Sequence, residues 1–90
     1  MSKIVQLTLA DAVTHNEATY SDLTFRKALV GDLMAGEQFK GEISQSVAVL
    51  SSISEVPIPA FKKISAEDFS RILEATAGLL GNAKINTTGG

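Results

Sequence analysis

Leu23-Thr24-Phe25-Arg26, then Ala28, then Gly31-Asp32-Leu33 is the stretch where an alternating apolar strand runs into the start of a helix. Leu23 and Phe25 share one face of an extended segment, with Thr24 between them on the other. Tyr20 falls on the opposite face unless a bulge intervenes. Upstream, Val5, Leu7 and Leu9 alternate with Gln6 and Thr8, the period of a half-buried strand. Asp11 to Glu17 is polar, with Thr14-His15-Asn16-Glu17 as the expected apex of a longish loop. The two segments should pair as an antiparallel hairpin. A lone hairpin is marginal in water, so its apolar face needs helices against it.

Three helical segments follow. Ala28 to Ala35 holds Leu29, Val30, Leu33 and Met34 and should end near Gly36. Phe39 lies in the linker between Gly36 and Gly41 and is expected to plug the core. In Glu42 to Ser54, the residues Ile43, Val47, Leu50 and Ser54 make one stripe, which Val49 and Ile53 widen. Its Val, Ile and Ser content lowers intrinsic helicity, so packing must hold this helix. Pro57 and Pro59 break the pattern. Ser65 then reads as an N-cap, with Glu67 and Asp68 at the positive helix start. Phe69, Ile72, Leu73, Thr76 and Leu80 should face inward, with Leu79 at the margin and Glu67 pairing with Arg71. The expected fold class is α+β: an N-terminal antiparallel β-hairpin packed against two or three C-terminal α-helices. The expected domain spans residues 1–81, with 82–90 a disordered tail.

At 90 residues the chain suffices for one domain, not two. A hydrophobic content of 44% argues against wholesale disorder. With no Cys, disulfides and thiolate metal sites are excluded. A net charge of −2 gives no footprint for nucleic acid or an anionic membrane. The first ten residues lack a signal-peptide pattern, and no apolar run is long enough to span a bilayer.

Reactive chemistry is equally absent from the pattern. His15 is the one histidine, set in a polar loop without the partners a metal or catalytic role needs. Asp11, Glu17 and Asp22 match no Ca²⁺ loop, and the glycines form no phosphate loop. Glu67, Asp68 and Glu74 are expected on exposed and N-terminal helix faces. Arg26 is the charge that stands out. It is read either as a solvated residue or as a fork that fixes the strand-helix corner or grips a partner carboxylate or carbonyl. Asp32 suits the first turn of the short helix and is within reach of Arg26 in sequence.

The order of Leu23-Thr24-Phe25-Arg26, Gly31-Asp32-Leu33 and Ser65-Ala66-Glu67-Asp68-Phe69 resembles the small tail assembly chaperones of Mu-like and P2-like contractile-tailed bacteriophages. The resemblance covers roughly residues 3–81. Ala28-Leu29 stands where that family often has Pro-Thr, which removes a Thr N-cap from the short helix. The resemblance implies a non-enzymatic assembly factor without cofactor, nucleic-acid or membrane partner, acting in the host bacterial cytoplasm. It would bind the tape measure protein and keep it soluble until the tail tube polymerises. The tail tube protein and a longer frameshifted form of the chain itself are further implied partners, and self-association is compatible with the role. Val49, Ile53, Val56 and Phe61, with Arg26, are the expected partner-contact residues; the competing reading puts the apolar four in the core. Other functions compatible with the sequence are a small structural subunit of the tail or baseplate, or an unrelated small adaptor domain.

Overall fold

The computed structural model describes residues 4–80. It begins with a β-hairpin, β1 (Ile4–His15) and β2 (Ala18–Arg26). Four helices follow: α1 (Val30–Glu37), α2 (Glu42–Ser54), α3 (Ile58–Phe61) and α4 (Ala66–Thr76), the last continued by a 3₁₀ turn over Ala77–Leu80. This is the expected α+β arrangement. The elements differ from expectation mainly in the hairpin loop and at the helix ends.

The polar stretch from Asp11 extends the strand instead of forming a long loop. His15 pairs with Ala18, so only Asn16 and Glu17 make the turn. Their φ angles are +51° and +67°, the left-handed pair that fits a two-residue hairpin to the strand twist. The extra length is absorbed by a bulge. Thr8 faces Asp22 and Val13 faces Tyr20, leaving Leu9–Ala12 opposite Ser21 alone. This irregularity brings Tyr20 to the same face as Leu23 and Phe25, where it packs against the core.

That core joins Leu9, Val13, Leu23 and Phe25 of the hairpin to Leu50, Ile53, Val56, Phe61, Ile72 and Leu79 of the helical layer. The C-terminal half of α2 is enclosed on several sides, with Ala48, Val49, Leu50, Ser51 and Ile53 all buried. The hairpin covers one side and α1 another. Gly36 permits the second contact: a Cβ there would lie 2.9 Å from Val49 Cγ2 and 3.1 Å from the Gln45 carbonyl oxygen. The α2 helix stops at Glu55, whose φ of +60° is the left-handed cap geometry usually given to Gly.

The α4 stripe also shifts from expectation. Ile72 and Thr76 are buried, but Leu79 replaces Leu80 as the buried residue of the last turn, and Leu73 is exposed. The change to a 3₁₀ turn at Ala77 causes this, because three residues per turn rotate Leu79 inward. The expected tail and the Gly81 stop lie outside the described residues.

Candidate functional site

Two aspartates hold the hairpin to the helices. Asp32, at the third position of α1, is buried and accepts a bidentate fork from Arg26 at 2.8 and 3.0 Å. It also accepts from the Leu29 amide at 2.7 Å and from the Ser52 hydroxyl of α2. Leu29 has no capping side chain, so the Asp32 carboxylate supplies the reverse half of a capping box. The Arg26 guanidinium, assisted by Ser52 and the Leu29 amide, holds the Asp32 carboxyl well below its ordinary value despite burial. Arg26 in turn is pushed up by its bond to Asp32. Arg26 thus fixes the strand-helix corner.

Asp68 corrects an expectation more sharply. Expected on an exposed or N-terminal face, it is fully buried. Ser65 does cap α4, accepting from the Asp68 amide at 3.1 Å. The Asp68 carboxylate then reaches across to the bulge and accepts the Asp11 and Ala10 amides, each at 3.1 Å. Arg71 closes the group at 2.6 Å, so it pairs with Asp68 three residues away and not with Glu67. Those two amides, with Arg71 and Ser65, lower the Asp68 pKa against the opposing effect of burial. An irregular stretch of β1 has no ladder partner for these amides, and the helix provides one.

The expected contact residues divide differently. Val49, Ile53 and Val56 are turned into the interior, because α1 and the hairpin both close over that part of α2. Their burial accords with the competing reading, in which they complete the core. Phe61 is also mostly buried, but one side of it faces a groove. Arg26 lies at the corner, away from that groove.

The groove arises where the wide apolar arc of α2 is left uncovered. Around Val49 and Ile53 the surplus apolar surface is used by α1. Toward the start of α2, Val47 packs against the core on one side only and Ile43 is left uncovered. Ile43 is 69% exposed, although its place in the stripe predicts burial, and Phe39 stands at the rim instead of plugging the core. With Ile58 and Phe61 of α3, Ile64, and Phe69 of α4, they line an open apolar groove of about 490 Å³. Phe61 and Phe69 meet edge to face, with centroids 6.4 Å apart and planes at 87°, which stiffens the floor. Lys62 is the charged side chain of the lining, and Ser44 and Ala66 complete it. Gln45 anchors the Phe39 carbonyl at 3.0 Å, fixing the rim. Such a surface can hold apolar side chains. It gathers no set of acid, base and nucleophile. Among the described residues no group of His, Asp and Glu is placed to hold a metal ion, and no helix is long and apolar enough to cross a membrane.

A hairpin backed by helices and bearing an open apolar groove has the features of a small protein-binding domain. Over residues 6–81 the chain matches the family of phage tail assembly chaperone proteins, E, or 41 or 14, and it belongs to that family. No curated protein and no solved structure matches it.

Proposed function

We propose that this chain is a non-enzymatic chaperone of tail assembly that binds apolar helical segments of the tape measure protein in the host cytoplasm. The groove between the start of α2 and the α3–α4 corner is the observation that supports this reading. A tape measure chain is long and helical, and before the tube encloses it, its apolar stripes face water. A groove of this size accepts a few consecutive side chains at helical spacing from one such stripe. Ile43 and Phe39 supply contacts at the rim, and Phe61 forms the floor. Tube subunits that polymerise around the tape measure would displace the chaperone by covering the same stripes.

Co-expression with the tape measure protein of the same genome tests the role. A soluble complex, with the tape measure insoluble alone, supports it. No complex, with the chain retained in finished particles, would instead make it a structural subunit of the tail.

A further inference from the structure

α1 carries an exposed apolar stripe that the fold does not use. Val30 and Met34 are 72% and 58% exposed. They stand four residues apart and so share one face of the helix, and Glu37 falls on the same face at its end. Asp32 and Gly36 hold the opposite face against the Arg26 corner and α2. α2 repeats this two-sided pattern. Its Val49 side meets Gly36 of α1, while Val47, two residues and about 200° away round the helix, lines the groove with Ile43. Stripe and groove therefore look out on opposite sides of the α1–α2 pair, and a chain cannot fill its own groove with its own α1.

The two surfaces match in spacing and in charge. Val30 and Met34 are one turn apart, as are Ile43 and Val47 of the groove wall, about 6 Å in each case. Lys62 is the charged side chain of the groove lining, and Glu37 is the charged side chain at the end of the stripe. Both are exposed, and among the described residues neither takes part in a salt bridge. Neither surface complements itself. Two grooves face to face would oppose Lys62 to Lys62. Two α1 stripes laid parallel would oppose Glu37 to Glu37, and laid antiparallel would set the Glu37 carboxylate against Val30.

We infer that α1 of one copy of this chain enters the groove of a second copy. Val30 and Met34 pack against Phe39, Ile43 and Phe61, and the Glu37 carboxylate meets the Lys62 ammonium. The contact is head to tail, so each added copy leaves one free groove and one free stripe. The patch is small, so the association is reversible and rises with concentration. It rests on the groove as a helix-binding surface, the one proposed above for the tape measure protein, and makes self-association and tape measure binding mutually exclusive. In dilute protein the groove is free, so changes in the α1 stripe leave tape measure binding unaltered.

Sedimentation velocity of the purified full chain over a range of concentrations, with no tape measure protein present, tests the contact. The average mass should rise with concentration. Met34→Glu spoils the stripe and Ile43→Glu spoils the groove, both at exposed positions where the fold does not depend on the side chain. Each variant alone should associate more weakly by about tenfold or more. Mixed, they should form a discrete dimer of one variant with the other that grows no further, because the intact groove of the first accepts the intact stripe of the second. Glu37→Lys should also weaken association, and Lys62→Glu in the same chain should restore it, which keeps the test decisive if either glutamate variant fails to fold. A parent chain that stays monomeric at every concentration would overturn the inference. So would association that survives Met34→Glu, a mixture that stays monomeric, or a Glu37→Lys defect that Lys62→Glu does not repair. Because the tape measure protein is absent throughout, failure here is distinguishable from failure of the co-expression test.

Discussion

Gly36→Ala should destabilise this domain, although replacing a helical Gly by Ala usually does the reverse. Two terms compete. Ala gains about 1 kcal/mol of helix propensity at an interior position, and less here, since Gly36 is next to the last residue of α1. Against this, the new methyl would sit 2.9 Å from Val49 Cγ2 and 3.1 Å from the Gln45 carbonyl oxygen. The second contact is to main chain and cannot be relieved by a rotamer. Overpacking of this kind costs about 1–3 kcal/mol, so the net loss should be about 1–2 kcal/mol. In a domain of this size each kcal/mol lowers Tm by roughly 4–8 °C. Urea denaturation of Gly36→Ala, Val49→Ala and the double variant provides the assay. Val49→Ala removes the nearer obstacle, so the double variant should be more stable than additivity allows by about 0.5 kcal/mol or more. A Gly36→Ala protein as stable as the parent, or more so, would refute the seating of α1 on α2. Strict additivity would refute Val49 as the obstructing side chain.

Other outcomes follow from the same structure. Ile53→Asp should leave no cooperative unfolding transition, because it places an unpaired carboxylate in a site now only 2% exposed; a folded variant would contradict the core assignment. Glu17→Gly should raise stability by about 0.5–1 kcal/mol, since Glu17 holds a φ of +67° that Gly adopts without penalty. A loss on thermal melting would count against the two-residue turn. The folded pKa values of Asp32 and Asp68 lie below their unfolded ones, so both carboxylates stabilise the fold fully above the unfolded value of about 3.9. Their contribution is lost as pH falls from about 5 through 4 and below. Urea midpoints measured down that range should fall, and Asp32→Asn should flatten part of the decline. Asp68→Asn should reduce hydrogen-exchange protection at the Ala10 and Asp11 amides more than at Leu7, and uniform loss would indicate a general destabilisation instead.

Much of the fold could be read from local pattern. The alternation at Val5–Leu9 and Leu23–Phe25 determines two strands, and Ser65 with its acidic neighbours marks the start of α4. The α2 boundaries, Glu42 and Ser54, follow from Gly41 and from the proline pair after Val56. What remained hidden depended on partners distant in sequence. Asp68 looks like an ordinary helix-start acid until the bulge, 57 and 58 residues away, offers two amides without ladder partners. The length of β1 was obscured because Asp11 and Thr14 are polar, yet they face solvent along an extended strand. The wide apolar arc of α2 correctly signalled surplus apolar surface, but its location depended on where α1 would dock. A glycine at position 36 let α1 cover Val49 and left Ile43 bare. Arg26 and Asp32, six residues apart across a strand-helix junction, were close enough for their pairing to be anticipated.

The most direct test of the groove is the affinity of the purified chain for the tape measure protein, compared between Ile43→Glu and Val30→Glu. Both residues are exposed and apolar, at 69% and 72%, but only Ile43 lines the groove. Both variants should remain folded by circular dichroism. Ile43→Glu should weaken binding by about tenfold or more, while Val30→Glu leaves it unchanged. Equal binding by the parent and Ile43→Glu would contradict the groove as the tape measure site.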